Sequence, residues 1–207
     1  GCVGQAGEQS NNIARNAVLA SQLPESVRAT SIDRQCGSSQ QALHFAAQAV
    51  MAGSMDVVIA AGVESMTRVP MGLPATLPFK HGFGSYMSPA MQARYPNVQF
   101  SQFAGAEMLA VKYELTKDEL DDYALRSHQR ASEATRGAYF GAEILLLPVR
   151  TTEGAATNET HATDEGIRFD ATREGIGAVK LLHESGRHTA ATASQICDGA
   201  AALLVVN

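Results

Sequence analysis

Ala29-Thr30-Ser31-Ile32-Asp33-Arg34-Gln35-Cys36-Gly37-Ser38-Ser39, followed further along by Asp56-Val57-Val58-Ile59-Ala60-Ala61-Gly62, decides the fold class. The stretch 29–32, with β-branched Thr30 and Ile32, predicts a short strand. Cys36-Gly37-Ser38-Ser39 then opens a helix that carries Ala42, Leu43, Phe45, Ala46, Ala47, Ala49, Val50 and Met51 and closes at Gly53. That helix is apolar nearly all round, which predicts burial rather than an amphipathic surface position. The second run is continuous, apolar and of strand length. Strand, helix and strand in this order predict a βαβ unit, a parallel sheet and an α/β fold.

Outward from this core the signals are local. Residues 1–12 are rich in Gly, Gln and Asn and predict a loop. Asn11 or Asn12 can cap a helix through Ile13, Ala17, Val18 and Leu19 that stops before Pro24. Pro70, Pro74, Pro78, Pro89 and Pro96, with Met66, Met71, Met87 and Met91, crowd the segment 63–105. This predicts a long ordered excursion. A helix is expected over 102–113, and Thr116 with Glu119 predicts a capping box for another reaching Arg136. A strand over 144–149, a polar loop over 151–165 and a short helix over 172–182 follow. No repeat and no low-complexity stretch interrupts them.

The chain has 207 residues, 45% of them apolar and 18% charged, enough for a packed core and too apolar for disorder. Its net charge is −5, and no basic block offers a nucleic-acid surface. No apolar run approaches the roughly 20 residues that span a bilayer. Three scattered cysteines make no disulfide framework, so a reducing, cytoplasmic location is the expectation. The chain begins Gly1-Cys2-Val3 and ends Ala200-Ala201-Ala202-Leu203-Leu204-Val205-Val206-Asn207, a predicted buried strand. We expect an internal piece of a longer protein.

Cys36 is the outstanding chemical position. The unpaired N–H groups of a helix start favour a thiolate and can also donate to an oxyanion formed beside the sulfur. Gly37 leaves room for a substrate. The competing reading is an inert small hydrophobe. Cys2, in an expected flexible end, and Cys197, before Asp198-Gly199, read as incidental. Metal: none, because no close ligand pair such as C-x-x-C exists. His161, Asp164 and Glu165 read as solvated, His44 as a core residue, and His183 and His188 as ambiguous. Phosphate-loop, dinucleotide and G-x-S-x-G motifs are absent.

The segment Asp33-Arg34-Gln35-Cys36-Gly37-Ser38-Ser39-Gln40-Gln41-Ala42 resembles the nucleophile segment of the thiolases, and three further segments follow in family order. Ala60-Ala61-Gly62-Val63-Glu64-Ser65-Met66-Thr67 is similar to the end of the family's next strand. Asp164-Glu165-Gly166-Ile167-Arg168 resembles its D-E-x-x-R element. Thr189-Ala190-Ala191-Thr192-Ala193-Ser194, followed by Asp198-Gly199-Ala200-Ala201-Ala202, resembles its T-A-G-N-A-S…D-G-A-A-A element. The resemblance implies a layered α/β/α fold with an inserted loop domain: 1–66 as N-terminal domain, 67–187 as loop domain, 188–207 as the return strand. It implies an acyltransferase in which Cys36 carries the acyl group as a thioester, Arg168 meets the nucleotide end of coenzyme A and Ser194 meets its pantetheine arm. Coenzyme A is then a substrate, no cofactor is needed, acyl-CoA and CoA are the partners, and the intact protein is a homodimer or homotetramer.

Departures from the pattern accompany this. Ala191 and Thr192 stand where Gly and Asn are common, Ser101 and Gln102 where biosynthetic members carry His-Met, and Leu182 and His183 interrupt a Lys-Leu-x-Pro run. The Gly-His-Pro and C-x-G-G motifs of the family's C-terminal half do not occur. The resemblance therefore implies degradation of bulky 3-ketoacyl-CoA by the intact protein, and no activity in this piece alone. The alternatives are a ketoacyl synthase relative, a biosynthetic acetoacetyl-CoA thiolase, and a non-catalytic acyl-CoA carrier.

Overall fold

A computed structural model describes residues 1–98 and 100–207. Gln99, inside the expected excursion 63–105, lies outside the described residues. The chain divides into two compact units, Gly1–Pro96 with Ile196–Asn207, and Asn97–Gln195.

In the first unit, helix α1 (Ile13–Ala20) begins where Asn12 accepts a hydrogen bond from the Arg15 N–H at 3.4 Å, and it ends at Ser21. Helix α2 (Ser38–Met51) closes through Gly53, whose φ of +67° fits a left-handed cap that glycine adopts without strain. Strand β1 (Val57–Ser65) pairs antiparallel with the last strand, β4 (Asp198–Val206), in unbroken register from Val57–Val206 to Ser65–Asp198. This corrects the parallel βαβ expectation. Residues 29–32 form no regular strand, and the Ile32 carbonyl instead accepts from the Cys2 N–H at 3.1 Å. The Gly1 ammonium donates to the Ala61 carbonyl at 2.8 Å and the Val63 N–H donates to the Gly1 carbonyl, so residues 1–3 lie beside β1.

Burial of α2 and β4 is also corrected. On α2 only Ser38 and Ala46 are buried, while Phe45 is 51% and Met51 87% exposed. Leu203, Leu204 and Val206 of β4 are exposed. An apolar composition predicts which surface a chain tends to hide, and hiding it requires covering atoms from elsewhere.

The excursion holds two short helices, α3 (Leu73–Lys80) and α4 (Pro89–Arg94). Pro74 and Pro89 sit in their first turns, where a missing N–H costs nothing, while Pro78 lies inside α3.

The second unit is built on α5 (Gln102–Lys112) and α6 (Lys117–Arg136). The capping box forms as predicted: Thr116 Oγ1 accepts from the Glu119 N–H at 3.2 Å and Glu119 accepts from the Thr116 N–H at 2.8 Å. Thr116→Ala is expected to cost about 1 kcal/mol, measured by urea unfolding. Strands β2 (Leu147–Arg150) and β3 (Ala156–His161) make an antiparallel hairpin. The predicted polar loop therefore contains a strand. Both strands are largely exposed, so neither face carries the apolar alternation that reveals a half-buried strand. Helix α7 (Arg173–Gly177) starts at the Thr172 cap and is shorter than predicted, ending at Ala178.

A charge cluster ties α7 to α6. Asp121 is fully buried, accepts from Lys117 Nζ at 2.5 Å, and faces Arg173, which also pairs with Asp118 and Asp122. Lys117 continues to the Gly177 carbonyl at 3.1 Å.

Candidate active site

Cys36 is exposed and sits two residues before α2. The loop that presents it is held on both sides. Asp33 Oδ1 accepts from the Gln35 N–H at 2.8 Å, and Ser38 Oγ accepts from the Arg34 N–H at 2.9 Å while donating to the Gln35 carbonyl at 2.6 Å. Gln35 takes φ +49°, a left-handed conformation that a non-glycine residue adopts only when its surroundings impose it. The thiol thus stands on a strained, braced turn ahead of the N–H groups of a helix of 14 residues. Gly62 brings β1 close beneath that helix start: a Cβ added to it would overlap Ser39 Oγ.

The other two cysteines differ. Cys2 is not a flexible end residue; it is 1% exposed, and burial, then the Glu64 charge, push its thiol above the ordinary value. A buried, protonated thiol is a poor nucleophile. Cys197 is exposed on the approach to β4. His44 is exposed on α2 rather than packed in a core.

Arg168 and Ser194 belong to the second unit. Arg168 is exposed, its N–H donates to His128 Nδ1 at 3.2 Å, and it lines a cleft of about 480 Å³ with Arg136, Tyr139 and Phe169. Arg136 lies over the Phe169 ring, 5.5 Å from its centroid. Asp164 accepts from the Gly166 N–H at 2.7 Å, closing the turn that precedes Arg168. Ser194 is exposed just after a turn built on the fully buried Thr189. The Thr189 carbonyl accepts from Thr192 and Ala193 N–H, each at 3.1 Å, and Thr189 Oγ1 accepts from Ala191 N–H. Here Thr192 is a working member, since its hydroxyl accepts from the Thr189 N–H at 3.0 Å. Gln195, next to Ser194, donates to the Gly166 carbonyl, so the Arg168 and Ser194 segments are joined.

Reading the sequence missed His128 and Arg136, which stand on α6 with only helical spacing to announce them, and a network around Glu64. It also missed Ser101 as a cap: its Oγ accepts from the Ala104 N–H at the start of α5. Asp198, at the head of β4, accepts from Thr67 Oγ1 at 2.5 Å, Thr67 N–H and Ser65 Oγ. The Thr67 hydroxyl, first among these, holds its carboxyl below the usual value. A depressed folded-state pKa contributes stability above the unfolded value of about 4 and loses it as pH falls. Thr67→Val is therefore expected to be less stable than wild type at pH 7, with the gap closing by pH 2, as read by thermal melts across pH.

The family model described as thiolase, N-terminal domain, matches residues 1–207. The chain belongs to the thiolase family, and its fold is the thiolase α/β fold. Steroid 3-ketoacyl-CoA thiolase FadA6 of Mycobacterium tuberculosis is 42% identical over 209 residues, covering 100% of this chain and 49% of that protein. The 3-ketoacyl-CoA thiolase of Aliivibrio fischeri is 40% identical over 211 residues, covering 100% and 51%. The dimeric peroxisomal thiolase of Saccharomyces cerevisiae superposes with a TM-score of 0.75 at 28% identity, over 93% of this chain and 47% of that one. The chain thus spans about half the length of the relatives it matches. Among the described residues no helix is long and apolar enough to cross a membrane.

Proposed function

We propose that the protein containing this chain is a degradative 3-ketoacyl-CoA thiolase. The observation that carries the reading is the exposed Cys36 on its braced turn at the start of α2, within a chain 40–42% identical to 3-ketoacyl-CoA thiolases. Cys36 Sγ attacks C3 of the 3-ketoacyl-CoA; the C2–C3 bond breaks and its electron pair, once protonated, leaves as acetyl-CoA. The thiol of a second CoA then takes the acyl group from Cys36, which regains its proton. Splitting the cleavage through a thioester is nucleophilic catalysis, and the helix-start N–H groups supply charge stabilisation where the oxyanion forms. Arg168 binds the nucleotide end of CoA with its guanidinium fork, and Ser194 donates to the pantetheine arm. CoA is a substrate and no cofactor is required.

The protein is expected to work in the cytoplasm as a homodimer or homotetramer, as the yeast relative is dimeric. Residues 1–66 and 188–207 then belong to its N-terminal domain and 67–187 to its loop domain. The direct test is cleavage of acetoacetyl-CoA and longer 3-ketoacyl-CoA by the whole protein, monitored by loss of the 3-keto chromophore. No cleavage of any of them would favour a non-catalytic acyl-CoA carrier. This chain alone is expected to be inactive, since the protonating and base-supplying motifs of the family lie outside it. Ser101, bound as a cap, cannot fill an acyl pocket as a His would. We therefore expect kcat/KM for a C8 substrate to exceed that for acetoacetyl-CoA. Four buried methylenes at about 0.8 kcal/mol each give roughly two powers of ten; a preference for acetoacetyl-CoA would overturn the pocket argument alone.

A further inference from the structure

The first unit contains a carboxylate whose bonds all lead back toward the helix start that carries Cys36. Glu64, half-buried on β1, accepts three hydrogen bonds: from the Val3 N–H at 2.8 Å, the Gly4 N–H at 2.9 Å and Gln9 Nε2 at 3.0 Å. Gln9, itself 4% exposed, completes the frame. Its Nε2 also donates to the Gly4 carbonyl at 2.8 Å, and its Oε1 accepts from the Ser65 N–H at 2.6 Å. Residues 1–4 are thereby fixed to the end of β1.

Those same residues touch the nucleophile's support. Gly1 lies so close to Ser38 and Ser39 that a Cβ on it would overlap their backbone, and a Cβ on Gly4 would overlap Glu64 Oε1. The Cys2 N–H holds the Ile32 carbonyl, four residues before Cys36. The segment 1–4 therefore meets both the first turn of α2 and the chain entering the Cys36 turn.

We infer that Glu64, with Gln9, is a positioning residue for Cys36: it clamps residues 1–4 as the floor on which the helix start and the Cys36 turn rest. The inference rests on Cys36 as the nucleophile but not on acyl transfer. A carboxylate suits the task because two oxygens can serve two successive backbone N–H groups and a side-chain amide at once. A Gln in its place keeps one acceptor and turns an N–H₂ toward a donor. An unmade bond to a half-buried donor then weakens the floor.

The test is the rate of iodoacetamide labelling of Cys2, Cys36 and Cys197 in the whole protein, resolved by peptide mass spectrometry, for wild type, Glu64→Gln, Glu64→Ala and Gln9→Met. Cys36 is already exposed, so loosening the floor cannot speed its reaction by uncovering it; it can only remove the oriented N–H groups and slow it. Cys197, also exposed and outside the network, is the internal reference. In folded variants the Cys36 to Cys197 ratio is expected to fall about threefold or more in Glu64→Ala and less in Glu64→Gln. Labelling of Cys2, buried in wild type, is expected to rise about tenfold. Global unfolding would instead bring all three cysteines to similar rates, and a melting curve identifies it. An unchanged Cys36 to Cys197 ratio in any folded Glu64 variant overturns the inference. So does a set in which no Glu64 or Gln9 variant folds, since the network would then be a structural support alone. Whether Cys36 accepts an acyl group does not enter the readout.

Discussion

Cys36→Ala in the whole protein is expected to lower kcat for 3-ketoacyl-CoA cleavage by about 10³-fold or more, with little change in stability. The size follows from the mechanism: without Sγ there is no acceptor for the acyl group, and the neighbouring N–H groups cannot replace a covalent step. Stability should stay within about 0.5 kcal/mol, because Cys36 is exposed and its turn is braced by Asp33 and Ser38 rather than by the thiol. Cys36→Ser keeps the shape of the side chain but not its nucleophilicity, so it should fall nearly as far. Cys197→Ala, an exposed cysteine outside that turn, should leave turnover unchanged. Steady-state kinetics on the three variants decides it, and substantial turnover by Cys36→Ala would remove the residue from the mechanism.

The largest stability effect is expected at Asp121, remote from this chemistry. Its carboxylate is fully buried and holds Lys117 and Arg173 together across α6 and α7. Removing one partner of a buried ion pair typically costs 3–5 kcal/mol because the others keep their desolvation without their attraction. Lys117 and Arg173 are partly exposed and can rehydrate, so Asp121→Ala should lose about 2–3 kcal/mol. Asp118→Ala, which removes the most exposed of the three carboxylates from the same arginine, should lose under about 1 kcal/mol. Chemical unfolding of both variants checks the contrast. Equal losses would mean that the cluster acts as surface charge rather than as a buried clamp.

Local signals read well wherever a short stretch of chain determined its own conformation. The Thr116–Glu119 box and the Asn12 cap are each settled within four residues and formed as expected, and α5 formed over nearly its expected span. Strand β1 was legible from its unbroken apolar run. What failed was partnership. Residues 29–32 have strand composition, but the place beside β1 is taken by residues 1–3 and by β4, and no local pattern records that choice. Strand β3 escaped because a solvated hairpin needs no apolar face, and α3 and α4 escaped because proline starts a helix as readily as it ends one.

The candidate site divides along the same line. The position of Cys36 before a helix could be read from the chain itself, whereas Arg168 and Ser194 emerged only through the family pattern. An exposed arginine in a polar loop and an exposed serine after a turn carry no signal of their own. The structure adds what places them: His128 under the Arg168 backbone and Gln195 tying the two segments together. The Glu64–Gln9 network was invisible because its partners lie 55 to 61 residues apart.

The central claim is that Cys36 is the acylated residue, and adduct mapping reaches it most directly. The whole protein is incubated with a 3-ketoacyl-CoA in the absence of free CoA, quenched in acid to preserve thioesters, digested, and each cysteine peptide weighed. The account predicts the mass of the shortened acyl group on the Cys36 peptide, removed again when CoA is added before quenching. An acyl group confined to Cys2, Cys197 or another residue, with Cys36 unmodified, would contradict it.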